Sequence, residues 1–320
     1  MSFSRDAKLQ MLSLTPPTDC CGLALLCGLF HASGEIEITS GKRRAYILTD
    51  IQEIYEFINK IFHNLYGDFM ELDIEDDYKI NKTVYYRISL PEDNTDKILK
   101  DLGFIDAEGT LNLSGEIDEY LIKSECCKKS FVQGAFLGSA TSSIRLSEEA
   151  SKKTNTGYHI EFTSHSHNFL QGLSEILAEF NIFPKLVQRK NLFVLYLKEA
   201  SQVSDLLALV GAYNSVLELQ NELAVRELRN KVNRQTNCLN ANISKTVEAS
   251  LKQLDAINTI ENTIGLDSLP SDLQEVALLR LANTEESLDE LLKLSKIKLT
   301  KSGLNHRFRK LIKIANELEE

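Results

Sequence analysis

Several things are scarce in this chain, and each scarcity narrows what it can be. Its 320 residues hold only five prolines and no glycine–serine or glutamine-rich tract, which argues against extensive disorder. Long apolar runs are missing too. "GLALLCGLF" at 22–30 is among the longest, far short of the roughly 20 residues a membrane-spanning helix needs. The start, "MSFSRDAKLQMLSL", has no continuous apolar stretch behind its charges. It reads as an amphipathic helix capped by Ser4 rather than a secretory signal, so a cytoplasmic location is expected. The six cysteines, at 20, 21, 27, 126, 127 and 238, form no Cys-x-x-Cys pair, and disulfides are not expected in the cytosol. Positive charge is outnumbered: 36 basic residues face 46 acidic ones, for a net charge of −10. With 43% hydrophobic and 26% charged residues, the chain has enough apolar material for two or three cored domains.

What is present is a duplication. "CCGLALLCGLFHASGE" at 20–35 aligns with "CCKKSFVQGAFLGSAT" at 126–141, matching the cysteine pairs, Gly28 with Gly134, Phe30 with Phe136 and Ser33 with Ser139 at one offset. After the first copy come the β-rich stretches "EIEITS" and "RAYILTD", the helical "IQEIYEFINKIFHNLYG", the strands "FMELDIE" and "TVYYRISL", and a short helix near 94–102. The second copy runs through "YHIEFTSH", a helix "NFLQGLSEILAEFN", a hairpin of "PKLVQRK" and "NLFVLYLKEA", and a helix at 201–211. Each half reads αββαββα, two copies of one unit that need each other to cover a sheet.

The repeated helix resembles the motif helix of LAGLIDADG homing endonucleases. "LCGLFHASG" at 26–34 keeps much of that pattern, and "VQGAFLGSA" at 132–140 keeps chiefly Gly134. The small residues let two helices approach closely along a pseudo-two-fold axis. In that family the penultimate motif position is an acid that binds catalytic divalent metal. Here those positions are Ser33 and Ser139, and a neutral hydroxyl lacks the hard anionic oxygen magnesium prefers. The alternative reading, a metal-dependent DNA endonuclease, is disfavoured on that ground; Asp19 and Glu35 lie nearby but are shifted from the acid position.

From about 213 the pattern turns purely helical. The asparagine-rich "TNCLNANISKT" at 236–246 reads as a helix junction, with a second helix from about 243 that ends at Gly265. This linker is either a solvated connector or a surface that follows a phosphate backbone through Arg229, Lys231, Asn233, Arg234 and Lys245. Beyond it, "SDLQEVALLRLAN" at 271–283 places Ser271 as an N-cap, and "ESLDELLKLS" at 286–295 forms a short helix. A third helix starts near Lys301. Leu304, Phe308, Leu311 and Ala315 fall on one buried stripe of it. From 296 to 313 the tail carries Lys296, Lys298, Lys301, Arg307, Arg309, Lys310 and Lys313 with no acid among them. Two short helices feeding a basic third make a helix-turn-helix arrangement, whose third helix enters the DNA major groove. In an acidic body, one basic helix confines contact with phosphate to a single element and orientation. The residues expected at DNA are Lys301, Ser302, Asn305, His306, Arg307, Arg309, Lys310 and Lys313, with Arg309 suited to guanine and Asn305 to adenine.

Together, "MSFS", both "CC" helices, "RKNLFVLYLKEA", "VNRQTNCLNANISKT", "LRLANTEESLDELL" and "KSGLNHRFRK" resemble the bacterial WhiA family over nearly the whole chain. One departure is Thr300, where the family commonly has a serine able to cap in the same way. The resemblance implies an α+β protein: a duplicated LAGLIDADG-like domain at 1–212 (repeats about 20–115 and 126–212), a helical linker at 213–265 and an all-α helix-turn-helix domain at 266–320, with its motif about 286–318. It further implies a non-enzymatic, nucleoid-associated regulator of transcription in cell division, chromosome segregation and, in some relatives, sporulation. Double-stranded DNA is the implied partner, with other transcription factors or RNA polymerase beside it and no membrane. A protein-interaction adaptor whose tail docks an acidic partner is a competing reading.

No cofactor or metal is expected. Side-by-side motif helices would bring Cys20, Cys21, Cys126 and Cys127 together as a possible tetrahedral zinc set. Adjacent cysteines diverge by about 100° on a helix, so core filling with two or three buried thiols is the preferred reading. His165 and His167, with His159 close by, sit where a strand turns into a helix and read as surface or capping residues. His31 stands where the endonuclease motif has its first acid and reads as a packing residue.

Overall fold

The computed structural model describes residues 2–39, 41–76, 84–112, 114–144, 157–295 and 299–319. It divides into two compact units, Met1–Val225 and Arg226–Glu320.

The first unit opens with α1 (Phe3–Met11), which buries Phe3, Ala7 and Met11. Its cap is Ser2, which accepts from the Arg5 amide at 3.3 Å, so the expected Ser4 cap is corrected by two residues. Serine at either place supplies the same oxygen; the extended backbone of Ser2 decides which one is used. Then comes the first repeat: α2 (Asp19–Ser33), β1 (Gly34–Thr39), β2 (Lys42–Thr49), α3 (Glu53–Tyr66), β3 (Glu71–Asp76), β4 (Val84–Ser89) and α4 (Thr95–Asp101). The second is α5 (Glu125–Ser139), β5 (Ala140–Ser142), β6 (Ile160–Ser164), α6 (His167–Glu179), β7 (Lys185–Arg189), β8 (Leu192–Leu197) and α7 (Ala200–Val210). The αββαββα order holds in both halves. The two antiparallel sheets have the same strand order, β1-β2-β4-β3 and β5-β6-β8-β7.

Both repeats hang on the α2–α5 pair. These helices are apolar around most of their circumference because they are covered on most sides, so neither shows the single stripe of a surface helix. Their contact is backbone to backbone. A Cβ on Gly28 would lie 2.1 Å from the Phe131 carbonyl oxygen, and one on Gly134 would lie 1.9 Å from that of Leu25. No side chain fits either place, so glycine is a steric requirement at both.

The second unit takes up α8 (Tyr213–Thr263) from Arg226 onward, then α9 (Ser271–Ala282), α10 (Leu288–Leu294) and α11 (Lys301–Glu319). The junction expected at 236–246 is not there: α8 runs through it without a break. Its polar side chains turn back onto their own helix instead of opening it. Thr246 Oγ1 donates to the Asn242 carbonyl at 3.0 Å, and Asn242 Nδ2 reaches Cys238 Sγ at 3.8 Å. The helix ends at Thr263, and Gly265 just beyond it, with a φ of +78°, closes the end by donating its amide to the Ile260 carbonyl.

Candidate nucleic-acid interface

Three helices and the end of α8 build one small core. Ala256, Ile257 and Ile260 of α8 and Leu273, Val276 and Ala277 of α9 close on Leu291 of α10. Leu304, Phe308, Leu311 and Ala315 of α11 complete it, the stripe the sequence periodicity predicts. The starts of the helices are fixed chemically. α10 carries a full capping box: the Glu290 amide donates to Ser287 Oγ at 3.3 Å, and the Ser287 amide to Glu290 Oε2 at 3.0 Å. The Ser287 hydroxyl, with its amide, holds the Glu290 carboxyl below its ordinary value. At α11 the Gly303 amide donates to Thr300 Oγ1 at 3.1 Å, so threonine caps where the family pattern has serine. Ser271 does not cap α9. It is the first helical residue after Pro270, whose carbonyl accepts from Leu273 and Gln274, so the sequence position was one residue late.

A residue that periodicity did not single out ties the unit together. Arg280 is 2% exposed, and its Nε donates to Gln253 Oε1 of α8 at 3.0 Å. One terminal nitrogen donates to the carbonyls of Asn283 at 3.3 Å and Glu286 at 2.7 Å, in the turn between α9 and α10. The guanidinium lies 5.3 Å from the centre of the Phe308 ring on α11. The available signal was a lone arginine inside the apolar run "VALLRLA".

The eight tail residues expected at DNA divide into two groups. Ser302, His306 and Arg309 are exposed, as is Lys313, and they repeat the spacing of the buried stripe two residues earlier. Two residues are about 200° around a helix, so this row faces away from the core. Lys310 is exposed beside it, and Asn305 is half-buried at its edge. Among the described residues, Arg309 and Lys310 make no ion pair. The other three cations do. Lys301 Nζ meets Asp289 of α10 at 2.5 Å, Arg307 Nε meets Asp272 of α9 at 3.2 Å, and Lys313 lies 3.5 Å from Glu317. Arg307 is therefore turned inward to α9, with 23% of its side chain exposed. Lys296 and Lys298 fall outside the described residues. The linker candidates Arg229, Lys231, Asn233, Arg234 and Lys245 are all exposed on α8. They do not form one row: at about 100° per residue, Arg229 and Asn233 share a side roughly opposite that of Lys231, Arg234 and Lys245.

In the first unit, Ser33 and Ser139 end α2 and α5 at equivalent places. Each hydroxyl donates back to its own helix, Ser33 to the Leu29 carbonyl at 3.2 Å and Ser139 to that of Ala135 at 3.4 Å. Asp19 is at the opposite end of α2, about 21 Å away by helical rise. Glu35 sits on β1, where the Tyr46 hydroxyl lies 2.7 Å from it and 2.9 Å from Glu37. His31 is ringed by Phe104, Phe131 and Phe169, the last stacked at 5.4 Å, and burial pulls its pKa down to about 4. His159, His165 and His167 go to separate partners: Glu161, the Asn191 carbonyl and the Phe193 ring.

A body built on two LAGLIDADG-like repeats, followed by a trihelical unit with one open basic helix, defines a helix-turn-helix protein on a LAGLIDADG-like scaffold. Family models agree across the chain. Residues 19–105 match the WhiA N-terminal LAGLIDADG-like domain, 128–229 the WhiA LAGLIDADG-like domain, and 232–315 the WhiA C-terminal HTH domain. The chain is 36% identical to the "Probable cell division protein WhiA" of Clostridium acetobutylicum, covering 100% of this chain and 99% of that one. It is 37% identical to the protein of the same name in Carboxydothermus hydrogenoformans, covering 99% and 98%. The crystal structure of full-length DUF199/WhiA from Thermatoga maritima superposes with a TM-score of 0.57 at 23% identity, covering 99% of each chain. This chain belongs to the WhiA family.

Proposed function

We propose that the chain is a sequence-specific DNA-binding regulator of transcription that acts in cell division and chromosome segregation, works at the nucleoid and catalyses nothing. The observation that carries the reading is the outward row of α11. There Ser302, His306, Arg309 and Lys310 stand exposed, and the two cations among them are not engaged by any described acid. A helix offered this way places polar side chains at base edges and cations at phosphates. Arg309 is the guanine reader, and Asn305 reads adenine from the edge of the row. Lys301, Arg307 and Lys313 serve differently. Arg307 positions α11 against α9, while exposed Lys301 and Lys313 can trade their carboxylates for phosphate because surface ion pairs are weak. The role in cell division rests on the relatives' printed names. The absence of catalysis rests on neutral hydroxyls at 33 and 139 that are spent on their own helices.

Selection of bound fragments from random DNA tests the reading, with the full chain set against its Arg309→Ala, Lys310→Ala variant. The full chain should enrich one motif and the variant should lose it. Point variants serve better here than removal of 266–320, which would strip the cover from Ala256, Ile257 and Ile260. Enrichment of the same motif by both proteins, or of none by the full chain, would refute the assignment. A plasmid-nicking assay with magnesium and manganese tests catalysis separately and should show intact supercoiled DNA.

A further inference from the structure

The first turns of α2 and α5 carry identical Cys-Cys pairs, and the close approach set by Gly28 and Gly134 brings them to one place. Cys20, Cys21 and Cys127 have their sulfurs within 4.8 Å of one another, with Cys127 Sγ 3.5 Å from Cys20 Sγ. Cys126 lies outside that group of three and adjoins it through Cys21. The arrangement is reciprocal: the exposed thiol of each helix meets the buried thiol of the other. The hydroxyl contacts beside the thiols also repeat. Thr18 Oγ1 lies 3.1 Å from Cys20 Sγ, and Ser124 Oγ lies 3.1 Å from Cys126 Sγ.

Core filling accounts for only part of this. It explains Cys27, which donates to the Leu102 carbonyl, and the buried Cys21 and Cys127. It does not explain Cys20 and Cys126, which are exposed and fill nothing. The geometric objection to a shared centre, that neighbouring cysteines diverge on a helix, does not apply, because Cys20 and Cys21 both lie within the 4.8 Å group. Tetrahedral zinc with sulfur at about 2.3 Å puts its ligands about 3.8 Å apart, the scale of this cluster.

We propose that Cys20, Cys21, Cys126 and Cys127 bind one thiophilic divalent cation, zinc, which staples the two repeats together at the N-terminal ends of their central helices. Soft thiolates select zinc over magnesium, and four of them close the coordination sphere, as in a structural rather than a catalytic site. Binding moves each thiol proton to solvent and leaves a centre of net charge −2. The positive N-terminal ends of α2 and α5 lie at that charge and favour it. Because each thiol must lose its proton to bind, zinc affinity rises with pH.

The test is metal content of the full chain, purified under reducing conditions without chelator and then offered zinc. About one zinc per chain is expected for the unaltered protein and for Cys238→Ser, whose cysteine lies exposed on α8. The Cys20→Ser, Cys126→Ser variant should hold less than about a tenth of that. Both changes are at exposed positions, and circular dichroism checks that the variant folds. Cobalt offered to the unaltered protein should give the intense visible bands of tetrahedral thiolate coordination, a readout independent of any variant. The proposal is overturned by absence of zinc after loading, by octahedral cobalt bands, or by equal zinc in the folded double variant. It is also overturned if mass spectrometry of the protein as purified, with no further reduction, shows these thiols joined as disulfides.

Discussion

Replacing Arg280 with methionine should cost the second unit about 3 kcal/mol, and the figure can be assembled bond by bond. The Nε bond to Gln253 joins a charged donor to an acceptor whose residue is 4% exposed, so about 1.5 kcal/mol is lost with it. The carbonyls of Asn283 and Glu286 belong to half-buried turn residues that water can partly reach, so each contributes at the low end, about 0.5 kcal/mol. The contact with the Phe308 ring adds about 0.5 kcal/mol. Methionine keeps most of the apolar stem, so little cavity forms. The assay is native-state amide hydrogen exchange on the full chain, which reads α9 and α11 without assuming that the whole protein unfolds in one step. Globally exchanging amides of α11 should lose protection by about 150-fold, the equivalent of 3 kcal/mol. Arg280→Lys, with a single ammonium that cannot reach all three acceptors, should lose about half as much. A change below about 0.5 kcal/mol for methionine, or full recovery by lysine, would show that the guanidinium fork does not hold the turn in place.

On the DNA side, Arg309→Ala should lower specific affinity by about 1–3 kcal/mol and relax base preference, as should Asn305→Ala, whereas Lys313→Ala should weaken all sequences alike and flatten the salt slope by about one unit. Uniform losses in titrations on matched and mismatched duplexes would contradict that division. Gly134→Ala should destabilise the first unit by about 3 kcal/mol or more in urea unfolding, because the new Cβ meets the Leu25 carbonyl at 1.9 Å. Gly67→Ala should cost only about 1 kcal/mol, since Gly67 has open space around it and only its φ of +66° to lose; equal costs would undo the close-packing argument. For His31 the sign follows from a folded pKa near 4 against an unperturbed 6.5. The unfolded chain binds more protons between those values, so stability is intact above about pH 6.5 and falls by up to about 3 kcal/mol toward pH 4. His31→Phe removes the titration, and its urea midpoint should drop less than the unaltered protein's between pH 7.5 and 5; equal drops would place the acid sensitivity elsewhere.

Different kinds of information made different parts of this fold legible. The duplication was readable because "CC", Gly28/Gly134 and Ser33/Ser139 recur at one offset, and a repeated sequence carries its topology with it. The buried stripe of α11 was readable because period 3.6 reports one face directly. Caps were harder: Ser2 against Ser4, and Pro270 against Ser271, differ by a residue or two, and neighbouring serines offer the same oxygen. The continuity of α8 is not legible in the sequence: asparagine propensity favours a break, yet a serine, threonine or asparagine on a solvated helix can bond its own preceding turn. Long-range pairing was not legible. Nothing local says that Arg307 turns to Asp272 while Arg309, two residues on, does not; the choice is made by which side of α11 packs on α9.

The α2–α5 pair shows how one constraint organises a chain whose side chains have changed around it. Backbone contact at Gly28 and Gly134 fixes the separation of the two helices to within the reach of a carbonyl oxygen. Once that separation is fixed, a residue at the end of one helix must meet the residue in the equivalent place on the other. At the C-terminal ends the equivalent places hold Ser33 and Ser139, whose donors are satisfied by Leu29 and Ala135, so nothing anionic is offered between them. At the N-terminal ends they hold thiols that face one another across the same axis. The fold therefore sets where paired chemistry can occur, and side-chain identity at each end decides what that chemistry is. A hard-cation site at the serine end needs two carboxylates that this chain lacks. A soft-cation site at the cysteine end would draw on thiols from both helices, three of which already lie within 4.8 Å of one another.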